Sequence, residues 1–317
     1  MALAALSGDE QGIVFVQLCN VLDPRLAVAL SSINNELRTA TQEGRQQLRA
    51  NHEAAAALCL KMGLRSCKEL REAKHVDWCN KALTATDLAL LSTLGSVLSA
   101  LKWLYLIDIP GAAGPDGVQR LAEQLGAGAL PAVRLLTLIG MHVGDAGASE
   151  LAAALGRGAM PRLKNLSLYN AAIGDAALVA LAPTLRRLPA LEHLSLSCNP
   201  FGDEGLATLV APPPPAGAPP PTTGGLAKLK QLFLCYTEVT DAGCTALAAA
   251  LDSGALPALE RLHLHGIPAS DTAQDAVHEA RDTLNDEESY ISESGSESEE
   301  GEEEEGDEDD EEDSEGN

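Results

Sequence analysis

The hexapeptide Leu163-Lys-Asn-Leu166-Ser-Leu168 decides the reading of this chain, because it comes back. It returns as Leu191-Glu-His-Leu194-Ser-Leu196, as Leu229-Lys-Gln-Leu232-Phe-Leu234 and as Leu259-Glu-Arg-Leu262-His-Leu264. Earlier copies begin at Leu101 and Val133. A fainter one begins at Ala73, with Val76, Trp78 and Leu83 in the leucine positions. The starts at 73, 101, 133, 163, 191, 229 and 259 are separated by 28, 32, 30, 28, 38 and 30 residues. A fixed period of this size marks a repeat architecture. The Leu-x-Leu alternation puts both leucines on one face of a strand.

Other positions keep the register. An Asp stands 12 residues after the start in five copies, at Asp145, Asp175, Asp203, Asp241 and Asp271. An acidic residue there suits the positive end of a helix and is expected to accept from its first free N–H groups. Leu151, Leu181, Leu209 and Leu247 follow, then Leu155, Leu185 and Leu251 four residues further on, the spacing of one helix face. Pro131, Pro161, Pro189 and Pro257 each lie two residues before the next copy, where a helix has ended.

These residues resemble the leucine-rich-repeat family in its ribonuclease-inhibitor-like form, over about residues 73–284. The Asn usual at that family's turn stands in place only as Asn199. The resemblance implies an α/β fold: a curved solenoid of about seven strand–helix repeats, with parallel strands on the concave face and helices outside. The long interval holds a proline-rich insertion, residues 211–225, with Pro213 at the second helix leucine. It predicts a shortened helix followed by an exposed polyproline loop on the convex side.

Residues 1–72 lack the repeat. Ile13, Val14, Leu18, Val21 and Leu22 suggest one helix, broken by Asp23-Pro24. Leu26, Leu30, Ile33 and Leu37 suggest a second, and residues 42–60 an Ala-rich linking helix. A helical cap over the first repeat is the expectation, since solenoids need their ends covered. The run Leu6, Asp9-Glu10, Leu18, Leu22-Asp23-Pro24, Leu26, Ile33 to Arg38 resembles a degenerate F-box, with Ser7 for the usual Pro and Leu37 for the common Trp. That resemblance implies docking onto an Skp-type adaptor and a role as substrate receptor of a ubiquitin ligase.

Charge is concentrated at the other end. Of 46 acidic residues, 19 lie in 286–317 with no Lys or Arg, leaving 27 acidic against 22 basic, a net of −5, before them. Residues 285–317 are therefore expected to be a disordered acidic tail, a surface for basic proteins such as histones. Ser294 and Ser296 carry Glu297 and Glu299 three residues on, a pattern acidophilic kinases favour. A basic nucleic-acid footprint is absent. The chain shows no signal-peptide pattern, and Leu88–Leu106 is read as repeat and not as a membrane span. Seven cysteines at irregular spacing argue for an intracellular, reducing compartment, cytoplasmic or nuclear.

The residue types of catalysis do not assemble in the sequence. Gly111 to Gly117 lacks dinucleotide spacing and fits a repeat turn. Cys59, Cys67 and Cys79 lack zinc-pair spacing, and His263 with His265 reads as surface histidine. No metal or cofactor is expected. What remains is a binding surface. Positions at the x of Leu-x-Leu and beside it face outward, and aromatics are only 3% of the chain. Trp103, Tyr105, Ile107, Leu135, Ile139, Tyr169, Phe233 and Arg261 are the expected contacts of a protein partner on the concave face. The expected function is a non-enzymatic protein-interaction module. The Ran-activating family is also similar in joining such repeats to an acidic tail, which implies GTPase activation. That family uses a catalytic Arg at a defined loop and more repeats, and no Arg here matches it.

Overall fold

The computed structural model describes residues 19–32, 35–108, 111, 113–211 and 226–281, with Ser7, Glu10, Gln11, Val14 and Phe15 ahead of them. Ahead of the first strand the described residues include the helices α1 (Arg25–Ser31), α2 (Asn35–Ala40), α3 (Gln42–Met62) and α4 (Cys67–Glu72). Then strands and helices alternate: β1 (His75–Asp77), α5 (Ala85–Leu94), β2 (Trp103–Ile107), α6 (Gly117–Glu123), β3 (Leu135–Ile139) and α7 (Gly144–Gly156). The series continues with β4 (Asn165–Ser167), α8 (Asp175–Leu185), β5 (His193–Ser195), α9 (Asp203–Val210), β6 (Gln231–Phe233), α10 (Asp241–Asp252), β7 (Arg261–His263) and α11 (Asp271–Glu279). Every strand begins two residues after the start of its copy in the sequence.

The strands form one parallel sheet in chain order. Val76, Leu104, Leu136, Leu166, Leu194, Leu232 and Leu262 are partners from strand to strand, and each is at most 3% exposed. They share one core with the helix leucines Leu151, Leu155, Leu181, Leu185, Leu209, Leu247 and Leu251. At roughly 1.5–3 kcal/mol for each fully buried aliphatic side chain, this stack is the main favourable term. The stretch from Leu88 to Leu106 is divided between α5, a turn and β2. Among the described residues no helix is long and apolar enough to cross a membrane.

Three of the five aspartates act differently from the expectation. Asp175, Asp203 and Asp241 are the first residues of α8, α9 and α10, so each points past its own helix to the next. Asp175 Oδ1 accepts from Gly202 N at 2.9 Å and Gly205 N at 2.8 Å. Asp203 accepts from the Thr240 amide and hydroxyl at 2.8 and 2.7 Å. Asp241 does the same for Ser270, at 2.6 and 3.0 Å. The carboxylates form a ladder that ties helix N-termini together. Gly205 belongs to it, because a Cβ there would meet Asp175 Oδ1 at 2.8 Å.

Asn199 supplies a second tie. Its Nδ2 donates to the Leu168, Leu196 and Ser197 carbonyls at 2.7, 2.8 and 3.1 Å. Its Oδ1 accepts from Ala171 N and Ile173 N at 2.9 and 3.0 Å. Other turns fill the equivalent place with the Thr237 hydroxyl, which donates to Leu234 O at 2.9 Å, or with buried Met141, Ala171 and Ile267. α9 is short, as Pro213 led one to expect; the loop 212–225 itself lies outside the described residues. Pro183 departs from the inter-helix placement of the other prolines and sits within α8 on its exposed side.

The expected second N-terminal helix is split. α1 ends where the Ser32 hydroxyl donates to Ala29 O at 2.7 Å, and α2 begins at Asn35. Ile33 lies outside the described residues, as do Leu6, Leu18 and the 282–317 tail. α3 runs slightly beyond its expected end and stops at Gly63, whose φ of +82° suits glycine. Ala55, Leu58, Cys59 and Met62 of α3, with Leu22, are buried in the same core as the repeats. Arg71 Nη1 reaches Asp23 Oδ2 at 2.9 Å, and Lys61 Nζ reaches Asp87 Oδ2 at 2.5 Å, tying α3 to α5.

Candidate protein-interaction surface

Strand alternation sends every second side chain away from the helices. Register then orders these side chains into rows across the sheet. One row runs His75, Trp103, Leu135, Asn165, His193, Gln231, Arg261; the next runs Asp77, Tyr105, Thr137, Ser167, Ser195, Phe233, His263. Ile107 and Ile139 pair in a third. With strands about 4.8 Å apart, six steps make a face roughly 30 Å long.

All eight expected contact residues lie in or beside these rows. Trp103 is 36% exposed and Tyr169 37%. Tyr105, Ile107, Leu135, Ile139, Phe233 and Arg261 are half-buried. Five of them, Trp103, Tyr105, Ile107, Leu135 and Ile139, are adjacent on β2 and β3. Tyr169 follows β4, and Phe233 and Arg261 stand at the far end of the sheet. There the His263 ring stacks on Phe233, centroids 4.5 Å apart and planes within 1°. His265 meets Tyr236 edge-on at 5.5 Å. Among the described residues no group of three His, Cys, Asp or Glu side chains is placed to hold a metal.

Three features escaped the sequence reading. His75 on β1 belongs to the aromatic group, its ring 6.1 Å from Trp103 and 5.2 Å from Tyr105. The alternation around Val76 and Trp78 carried that information. Lys102 Nζ lies 5.7 Å from the Trp103 ring centroid, close enough for a cation–π contact. Ser167 Oγ and Gln231 Oε1 are buried on the outward rows with no hydrogen-bond partner, and no sequence signal marks them.

Burial favours the protonated thiol at several cysteines. Burial pushes Cys59 up to about 12, with the Cys67 thiol beside it adding to the effect. Burial and then Asp77 raise Cys79 to about 12, and burial raises Cys235. All seven cysteines are free. Gly111 and Ala113 to Gly117 form the turn from β2 to α6, where Asp108 Oδ2 accepts from Ala113 N at 2.6 Å.

The family model described as "Leucine Rich repeat" matches residues 188–210, the copy that carries Asn199. No curated protein matches the sequence. Among solved structures, a protein of Bacteroides fragilis is similar at 14% identity and a TM-score of 0.41, over 74% of this chain and 69% of that one. An internalin of Listeria monocytogenes is similar at 15% identity and a TM-score of 0.30, over 62% of this chain and 50% of that one. This chain thus spans half the length of that internalin. Seven parallel strands in register, each followed by a helix, with the leucine-rich-repeat match on the copy holding Asn199, make the repeat region of this chain a leucine-rich-repeat solenoid.

Proposed function

We propose that this protein is a non-enzymatic interaction module that binds a protein partner on the concave, helix-free face of its sheet. The observation that carries this is the patch of Trp103, Tyr105, Ile107, Leu135 and Ile139 with His75. Outward strand positions have no core to fill, and in this chain aromatic residues are scarce. Interface energy concentrates in a few aromatic and Arg residues. Tyr169 extends the anchor patch. Phe233 and Arg261 form a peripheral contact at the other end. Ser167 Oγ and Gln231 Oε1 support the same reading, because a buried polar atom without a partner is costly and a docked chain can supply one. The acidic tail 285–317 adds a salt-sensitive attraction for basic proteins.

The test is the double substitution Trp103→Ala with Tyr105→Ala. Capture of the partner should be abolished, each truncation costing about 2 kcal/mol or more, while circular dichroism and melting stay near wild type. A folded double mutant with undiminished capture overturns the reading. Use as a ubiquitin-ligase receptor is a second reading. It is favoured by Leu26 and Val28, which α1 leaves 46% and 66% exposed within the F-box-like segment. Pull-down with an Skp-type adaptor, lost on Val28→Asp, is its test.

A further inference from the structure

We propose that Arg38, Arg45 and Arg49 form a binding site for a phosphoryl group, distinct from the sheet face. α2 and α3 meet across the single residue Thr41. Gln42, Arg45, Gln46 and Arg49 follow the spacing of one helix face. With Arg38 and Thr39 from the end of α2 they line a cavity of about 430 Å³. Among the described residues three guanidinium groups line it and no carboxylate does.

Several other basic side chains of the described residues have partners within the fold. Arg71 and Lys61 are paired with Asp23 and Asp87, and Lys164 with Glu192. Arg157, Arg186 and Arg281 donate to backbone carbonyls near helix ends. Among the described residues Arg38, Arg45 and Arg49 take part in none of the salt bridges. Arg45 Nη2 donates to the backbone carbonyl of Arg38 at 2.7 Å, which holds the Arg45 side chain against the end of α2 across the helix junction. Its Nε–H is buried and has no acceptor. Arg45 and Arg49 stand one helical turn apart, where like charges repel.

An oxyanion between these groups removes the repulsion and satisfies the orphan donor. Guanidinium forks match phosphate and carboxylate geometry alike. Three guanidinium groups lining one cavity offer more donors than a single carboxylate has acceptor sites, so the phosphoryl group, with three free oxygens, is the better fit. Its first-turn amides make the start of the 21-residue α3 favourable to the same charge. Two sources carry this chemistry: a small free phosphate, or a phosphorylated side chain of a bound protein.

Isothermal titration of the full chain separates them, at constant ionic strength set with chloride. The probes are inorganic phosphate, a phosphoserine peptide and the same peptide unphosphorylated. Phosphate and phosphopeptide should bind, and the unphosphorylated peptide should not. A tighter phosphopeptide assigns the source to a protein; equal affinity assigns it to a small phosphate. Arg49→Gln, on an exposed side chain, should weaken binding roughly tenfold or more while melting is unchanged, the scale of one charge-assisted hydrogen bond. Arg45→Gln should also weaken binding, with a lower melting temperature because it removes the bond to the Arg38 carbonyl as well. Trp103→Ala with Tyr105→Ala should leave phosphate binding intact, which keeps this site separable from the sheet face. No heat from either phosphate probe in the wild type, or equal binding by Arg49→Gln, overturns the proposal.

Discussion

Replacing Asn199 with Ala should destabilise the solenoid more than its size suggests. The side chain is 2% exposed and bridges two repeats through five hydrogen bonds. Alanine leaves the Ala171 and Ile173 amides buried without their acceptor. A buried donor stripped of its partner costs about 1–3 kcal/mol, so two give roughly 2–6 kcal/mol. The Ser197 carbonyl keeps the Asn170 amide at 3.1 Å and adds little. A loss of about 4 kcal/mol is a large part of a domain's ~5–15 kcal/mol. With a urea slope of about 2 kcal/mol/M, the midpoint should fall by about 2 M. Urea unfolding followed by both circular dichroism and Trp fluorescence measures it, two probes being needed because repeat arrays can unfold in parts. Asn199→Asp keeps an acceptor but sets a carboxylate against the Leu168 and Leu196 carbonyls, so at neutral pH it should not rescue. A loss below about 1 kcal/mol for the alanine variant, or a well-tolerated aspartate, would refute the bridging role.

Leu166→Ala or Leu194→Ala should cost roughly 2–5 kcal/mol, since each lies in the buried row between neighbouring strands; unchanged melting of both would show the strand register to be wrong. Gly205→Ala should lower the melting temperature although Ala favours helix, because its methyl would meet Asp175 Oδ1 at 2.8 Å and Leu178 Cβ at 3.2 Å; a rise would remove Asp175 from the ladder. Burial raises the Asp87 carboxyl, but Lys61 and Thr84 outweigh it and hold the group below its ordinary value. Its stabilisation is therefore full above the unfolded value of about 4 and lost as pH falls through the lower folded value. Lys61→Met should melt lower than wild type at neutral pH, with the gap closing in acid; a gap independent of pH would deny the pair that role.

Strand positions were legible because Leu-x-x-Leu-x-Leu fixes both the face and the start of each strand. The helix leucines were legible for the same kind of reason. The aspartate ladder was not. A 12-residue offset shows that Asp opens a helix, but its partner lies in the next repeat, 27 to 37 residues away. Its sequence trace is the Gly two places after Asp203 and Asp241, which admits the carboxylate from the preceding copy. The N-terminal helices blurred into one apolar period because Leu26 contributes to the pattern without being buried. Trp103 to Ile139 followed from alternation alone, whereas the Arg38–Arg45–Arg49 cluster exists only because α2 and α3 join at Thr41.

The central claim is that a partner docks on the sheet face and not on the helices. Tyr169 beside that face and Val179 on α8 are both 37% exposed, so they test it on equal terms. A photo-reactive phenylalanine analogue placed at each position, followed by irradiation of the protein in its native extract, reads the contact directly. A discrete adduct from position 169 and none from 179 is the predicted result; an adduct from 179 with none from 169 would contradict it.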